Sequence, residues 1–389
     1  MSRHIVVVGG GAMGSSAAWH LAARGVRVTL FEQFTPGHDR GSSHGSSRIF
    51  RLAYPDPFYV TLAARSLPLW RRLEEETGRP LLNLTGAVDH GPAPVTTALH
   101  DALTALGRPS QLLAPAQAAE RWPGLRADTS ALFHPEAGRL HADDAVTAFQ
   151  QAARQHGARI RHGVKVTRLA VRGERAEVVT DGEEAVIADG VVVAAGGWTP
   201  GRLAGLVTGM PRMRITQEQP AHFPAADALD WPSFIHHGGA GLPPGTAVYG
   251  LGSTDGVKAG FHGVGPLVDP DHRDRTIDAT ALGYLRQYAT RWLPGVDPTA
   301  PAATTCLYTT TPDEDFVIDR QGPLTVLAGF SGHGFKFASL VGALAADLVG
   351  GAPGLGRFAL GRTVQAGPGR ITPAGPGRPA PRSTNGDPR

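Results

Sequence analysis

Cysteine is nearly absent: the 389-residue chain has one, Cys306. A single thiol excludes an internal disulfide, and with no cysteine pair and no His-Glu-x-x-His run a zinc site lacks both ligands and spacing, so no metal is expected. No stretch approaches the roughly 18 consecutive apolar residues that cross a bilayer, so no membrane association is expected. The start, Met1 to His4, leads directly into Ile5-Val6-Val7-Val8, too short a run for the apolar core of a secretory signal. A reducing cytoplasm is the simplest home. Charge of one sign is scarce as well: 37 basic against 34 acidic residues leave a formal +3. The pI of about 9.2 draws partly on arginines in the tail. Without a concentrated basic face no nucleic-acid partner is expected, and a small molecule is. A hydrolase elbow, Gly-x-Ser-x-Gly on a strand-to-helix turn, is not expected either, and no internal repeat is seen.

Glycine is abundant, at 51 residues, and its placement is informative. Ile5 to Gly9 reads as a buried strand, Ala12 to Arg24 as a helix stopped by Gly25, and Val26 to Glu32 as a second strand ending in an acid. In this βαβ unit Gly9, Gly11 and Gly14 permit a tight turn, close approach of backbone to a pyrophosphate, and close helix packing. Glu32, at the end of the second strand, is placed to accept hydrogen bonds from ribose hydroxyls. The pattern implies a dinucleotide and does not separate FAD from NAD.

Further along, Phe58 to Thr77 is helical in pattern with an interruption expected at Pro68, and Glu74, Glu75 and Glu76 read as a solvated face. Ala142 to His156 reads as a helix. Strands are expected around Arg159 to Val166 and Glu177 to Thr180, with Asp181-Gly182 as a turn, and again at Gly190 to Ala195. Alternating segments such as Ala247 to Leu251, with a helix near Ala279 to Arg291, predict a second, antiparallel-sheet domain laid over the first. A strand from Leu324 to Gly329 precedes a Gly-His-Gly turn and a helix from Ala338 to Leu348. From about Gly367 onward Pro, Gly and Arg dominate, and no core is expected there.

Three stretches carry chemistry. Gly41-Ser42-Ser43-His44-Gly45-Ser46-Ser47-Arg48-Ile49-Phe50-Arg51-Leu52-Ala53-Tyr54 begins like a spacer but ends in two arginines and a tyrosine, and the guanidinium fork suits a carboxylate or an electron-rich ring. Cys306-Leu307-Tyr308 is followed by Pro312-Asp313-Glu314-Asp315-Phe316-Val317-Ile318-Asp319, and then by Gly332-His333-Gly334-Phe335-Lys336-Phe337-Ala338-Ser339. These stretches, in this order from about His4 to Leu348, resemble the monomeric sarcosine oxidase and N-methyltryptophan oxidase family, FAD-dependent amine oxidases of the D-amino acid oxidase superfamily.

The resemblance implies an α/β fold with a Rossmann-like FAD-binding domain assembled from 1–85, 145–215 and 300–365, an antiparallel-sheet substrate domain from 86–144 and 216–299, and a disordered tail, 366–389. It implies FAD joined through a thioether from Cys306, although a free cysteine taken alone is usually a small buried hydrophobe. The cofactor contacts it assigns are Gly9, Gly11, Ala12, Met13, Gly14, Glu32, Ser43, His44, Ser47, Arg48, Val166, Gly196, Cys306, Gly332, Gly334 and Lys336. Lys258 matches the lysine above the flavin that promotes reaction with oxygen, and His262 a histidine of the substrate pocket. Arg48 would sit against the flavin, and Tyr308 stands with these residues as catalytic. Arg51 and Lys336 match a pair that clamps the substrate carboxylate, and Tyr54 and Tyr249 line the pocket. Departures from the pattern are Pro55-Asp56 in place of glycine-glutamate, Ser47 in place of threonine, and a longer loop from His236 to Gly245.

The implied reaction is oxidation of a secondary amine in an N-methyl or cyclic amino acid, giving an imine and hydrogen peroxide, with the amino acid and oxygen as partners and a monomer as the expected state. Three alternatives stand beside it: an amine dehydrogenase with a non-oxygen acceptor, a nicotinamide-dependent dehydrogenase, and a catalytically silent flavin-binding module.

Overall fold

The computed structural model describes residues 3–238 and 246–363; most of the segment compared as a longer loop, and the tail, fall outside that range. The opening apolar run forms the strand His4–Val8, which pairs in parallel with Arg27–Glu32 on one side and Gly190–Val193 on the other. The complete sheet has six strands, in the order Val317–Gln321, Leu324–Ala328, Gly190–Val193, His4–Val8, Arg27–Glu32 and Arg159–His162, parallel except at the Val317–Gln321 edge. Side chains alternate across a strand, so Ile5 and Val7 enter one core while Val6 and Val8 enter another. On the first face lie the helices Ala12–Ala23, Ala142–Gln155 and Ala338–Val349, with Pro57–Thr77 outside them. On the second lies an antiparallel meander, Val166–Arg172, Arg175–Thr180 and Ala185–Ala188. Covering both faces is what permits a nearly all-apolar parallel sheet.

A second sheet of eight strands runs Ala302–Ala303, Ala221–Phe223, Gly256–Phe261, Val248–Ser253, Ser233–His236, Ala87–His90, Ala131–His134 and Gln111–Leu113. It is antiparallel apart from the pairing of Ser233–His236 with Ala87–His90. Its register sorts the residues by face. Val88, Phe234, Val248, Val257, Ala259 and Phe223 pack against Leu285, Tyr288, Ala289 and Trp292 of the helix Ala279–Trp292. The opposite face carries Asp89, Ile235, Tyr249 and Gly260 in one row across four strands, with Lys258 paired between Leu251 and His222. One face is thus sealed core and the other presents polar side chains toward the first layer.

Several expectations change. Pro57–Thr77 is one continuous helix with Pro68 inside it. A proline there costs about 3 kcal/mol, but Leu62, Ser66, Trp70 and Leu73 are buried on both sides of it, and the helix is held by that packing. The expected strand around Arg159 to Val166 is two strands, Arg159–His162 and Val166–Arg172, in different sheets, separated by a turn at Gly163. Glu74 and Glu76 are not simply solvated: Glu74 accepts from Leu81 N and Leu82 N at 2.7 and 2.8 Å, and Glu76 from Trp19 Nε1 at 2.7 Å.

Buried imidazoles make the fold acid-sensitive. Burial holds His20 and His236 at pKa about 4, against 6.5 for a free imidazole. Between these values the unfolded chain binds protons that the folded chain does not, so their contribution is complete above pH 6.5 and shrinks as pH falls toward 4. Each site withdraws up to about 3 kcal/mol over that window. Thermal unfolding should therefore show a falling Tm from pH 7 to 5, and His20→Gln should flatten that slope; an unchanged slope would show that His20 does not contribute.

Candidate functional site

The cleft between the two sheets has a volume of about 880 Å³, within the range of small-molecule sites. At one end it is floored by the glycine turn. A Cβ on Gly14 would lie 1.9 Å from the Gly9 carbonyl oxygen, so this position must be glycine for the helix to close on the strand. The helix Ala12–Ala23 starts without a side-chain cap, leaving its first N–H groups for an anion; Ala12 N alone is met by Ser43 Oγ, at 3.0 Å. Glu32 is buried at the end of its strand and fixed by Gly10 N at 2.7 Å and Phe34 N at 2.9 Å. Ser46 Oγ, Ser47 Oγ and His44 Nε2 are buried without hydrogen-bond partners. An uncapped helix start, a glycine cradle and orphaned hydroxyls form a donor set that fits a dinucleotide.

The stretch that reads Gly41-Ser42-Ser43-His44-Gly45 has hydrolase-elbow spacing, but it leads into the strand Arg48–Phe50, not a helix, and Ser43 faces the glycine turn. Arg48 is locked by its neighbours' carbonyls: Nη1 donates to Ser47 O at 2.8 Å, and Nη2 to Ser42 O at 2.9 Å and His44 O at 2.7 Å. It lines the cleft, makes no ion pair among the described residues, and its charge acts on Lys258 and Cys306.

Cys306 begins the strand Cys306–Thr310, which pairs with Arg214–Glu218. The two-residue repeat puts Cys306 and Tyr308 on one side of it, and both line the cleft. The thiol is free and 8% exposed, and burial raises its pKa. Gly332, at φ +74°, lies against Tyr308: a Cβ there would stand 2.2 Å from the phenol ring, so the glycine-rich turn is shaped around that tyrosine. The Tyr308 hydroxyl reaches His262 Nδ1 at a long 3.5 Å.

Lys258 is 6% exposed and makes no ion pair among the described residues; burial first, and Arg48 second, lower its pKa to about 7. Lys336 is 5% exposed and donates to Tyr54 OH at 2.9 Å and His333 O at 2.7 Å. Burial and then Arg51 drive its pKa well below the usual lysine value. Arg51 lies over the Tyr54 ring at 4.7 Å and reaches the carboxylate of Asp89 at 3.4 Å. Burial raises the Tyr54 phenol to about 12, so it stays protonated beside both cations. Asp56 is committed elsewhere, capping Pro57–Thr77 through Phe58 N and pairing with Arg357.

Of the residues singled out in the sequence, Gly9, Gly11, Ala12, Met13, Glu32, Ser43, Ser47, Arg48, Arg51, Tyr54, Val166, Gly196, Tyr249, Lys258, His262, Cys306, Tyr308, Gly332, Gly334 and Lys336 line this one cleft. Gly14 lies beneath the turn as a packing residue, and His44 lies behind the wall. Sequence reading missed Asp89, His237 and His333. The only trace of Asp89 is an acid inside the fully buried strand Ala87–His90. Among the described residues no group of His, Cys, Asp and Glu forms a metal site, and no helix is long and apolar enough to cross a membrane.

Comparison with known proteins agrees with this geometry. The chain is 37% identical over 363 residues to a monomeric sarcosine oxidase of Streptomyces avermitilis, covering 88% of this chain and 92% of that one. It is 31% identical to an N-methyl-L-tryptophan oxidase of Yersinia pestis, covering 89% and 94%. Among solved structures it superposes on NikD, an unusual amino acid oxidase essential for nikkomycin biosynthesis, with a TM-score of 0.82, 26% identity and coverage of 94% and 99%. It superposes on L-proline dehydrogenase from P. horikoshii with a TM-score of 0.79, 25% identity and coverage of 93% and 97%. Residues 4–348 match the DAO family, and the chain belongs to these FAD dependent oxidoreductases.

Proposed function

We propose that this enzyme oxidises a secondary amine in an N-methyl or cyclic amino acid to an imine, with oxygen as acceptor and hydrogen peroxide as product, and acts as a cytoplasmic monomer. The observation that carries this reading is the gathering of Lys336, Arg51 and Tyr54 at one wall of the cleft with Lys258 and Cys306 at another. The first group suits a carboxylate and the second suits a flavin ring. Bound FAD supplies a two-electron acceptor for the substrate C–H and passes the electrons on to oxygen.

Cys306 is read as the covalent tether and Tyr308, on the same side of its strand, as a wall beside the ring. Lys336 and Arg51 bind the carboxylate and so fix the reacting C–H in one orientation; well-oriented binding of this kind accounts for a large part of an enzyme's rate. Tyr54 holds the Lys336 ammonium in line through its hydroxyl. Arg48, pinned by carbonyls, keeps a positive charge toward the ring. Lys258 is read as the cation that stabilises the negative charge oxygen acquires as it accepts electrons, at low cost in reorganisation because the side chain is already buried and fixed. His262 and Tyr249 complete the substrate wall.

An anaerobic screen of secondary amino acids tests the reading: at least one N-methyl or cyclic amino acid should bleach the flavin band, and bleaching by none of them would refute it. The rate of bleaching should rise with pH because the neutral amine reacts, and a rate unchanged between about pH 6 and about pH 9 would remove that part of the mechanism. Acid-precipitated protein should stay yellow, and Cys306→Ala should release the colour to the supernatant; equal loss from both would exclude the thioether. Lys258→Met should slow reoxidation by oxygen on the order of 100-fold while anaerobic bleaching changes far less. Equal effects on the two half-reactions would mark Lys258 as merely structural.

A further inference from the structure

Asp89 and His237 lie outside the roles assigned so far. Asp89 is fully buried, and its Oδ1 accepts from His237 Nε2 at 2.6 Å and from Arg51 Nη1 at 3.4 Å. His134 Nε2 stands 3.7 Å from the other oxygen. Burial alone would raise the Asp89 carboxyl, but Arg51, His134 and His237 outweigh it and hold the group far below the usual carboxylate range. An ionised carboxylate has only lone pairs to offer, so the contact fixes a proton on His237 Nε2. The opposite nitrogen, Nδ1, has no hydrogen bond among the described residues and is not among the sealed, unpartnered atoms, while the residue lines the cleft.

We propose that His237, oriented by Asp89, is a specificity-determining residue whose Nδ1 accepts a hydrogen bond from an O–H or N–H on the first side-chain carbon of the substrate. The preferred substrate is then an N-alkyl or cyclic amino acid bearing a donor at that position. This rests on the reading of Arg51 and Lys336 as the carboxylate clamp. His237 and Arg51 share one oxygen of Asp89, which sets Nε2 and the guanidinium within two hydrogen-bond lengths, about 6 Å, with Nδ1 farther off across the ring. A carboxylate on Arg51 and a donor on the adjacent side-chain carbon span a comparable distance. Charge balance agrees: Arg51 offsets Asp89, and Lys336 is left to match the substrate carboxylate. An apolar wall at this point would need no buried acid behind it.

The test uses two non-reacting carboxylates of equal size, 3-hydroxypropanoate and butanoate, titrated calorimetrically into the flavin-loaded enzyme and two variants. The wild type should bind the hydroxy acid about ten-fold more tightly, the worth of one well-made hydrogen bond. His237→Leu should abolish the difference. His237→Gln, which can donate to Asp89 and still present a carbonyl, should retain most of it and guards against reading a folding defect as lost recognition. Equal binding of both acids by the wild type, or a preference that survives in His237→Leu, overturns the inference while leaving the clamp intact. Failure of the wild type to bind either acid overturns the clamp as well. Tightening of butanoate binding as pH falls, in the wild type and not in His237→Leu, would identify an imidazolium contacting the carboxylate and also overturn the acceptor role.

Discussion

The structure depends on positive charge held in a dry place. Lys258 and Lys336 are each nearly sealed from water, and neither makes an ion pair among the described residues. Arg48 donates to carbonyl oxygens, lies over the Phe335 ring at 5.6 Å and makes no ion pair among the described residues. Burying an ammonium costs several kcal/mol after relaxation, and that cost is offset only by an opposite charge or by hydrogen bonds. The acids along the cleft mouth do not supply it, since Asp313 pairs with Arg362, and Asp56 and Asp315 with Arg357. The free energy stored in these groups is released when anions arrive, so stability and binding are linked. An electron-rich ring and a carboxylate both complete the site.

Such a site needs two surfaces that keep their cations apart until a ligand lies between them. The six-stranded sheet and its helices provide the glycine turn and the turn that bears Lys336, and a small three-stranded sheet of Arg48–Phe50, Gly138–Leu140 and Leu82–Asn83 provides the start of the Arg48–Tyr54 segment. The eight-stranded sheet brings Lys258, Tyr249 and Asp89 on one face. Neighbouring strands are about 4.8 Å apart, so Asp89 and Lys258, three strands distant, stand roughly 15 Å from each other across the sheet. On the proposed function that spacing separates the end that holds a carboxylate from the end that meets oxygen, without any long loop. The opposite face packs Phe234, Val248 and Val257 on the helix Ala279–Trp292, which makes the sheet a rigid mount.

What was legible in the sequence was whatever is local or carried by a short motif. Gly9 to Gly14 with Glu32 announces its own turn, and the runs around Cys306 and Lys336 identify themselves by order and spacing. Pro68 misleads because a local rule, the loss of one helical hydrogen bond, yields to the burial of Trp70 and Leu73 on either side of it. The division at Gly163 was hidden because both segments look like strands, and only long-range pairing decides which sheet each joins. Asp89 and His237 could not be found by any spacing rule: 148 residues separate them, and their meeting is made by strand register. Asp56 shows a further limit, since a residue that departs from the family pattern serves here as a helix cap.

Arg51 and Lys336 look equivalent in sequence and are not so in space. Asp89 already offsets the charge of Arg51, and a cation with a buried partner contributes directed hydrogen bonds more than net attraction. Lys336 donates to a phenol and a carbonyl, both neutral, and makes no ion pair among the described residues, so it carries the unbalanced charge. In the proposed clamp the two residues divide the work: Lys336 attracts the carboxylate, and Arg51, fixed between Asp89 and the face of Tyr54, sets the angle at which it lies. Burial and Arg51 both press on the Lys336 proton, and in the proposed clamp a bound carboxylate opposes the two. On the proposed function this division of labour favours an amine that bears a carboxylate over a simple amine.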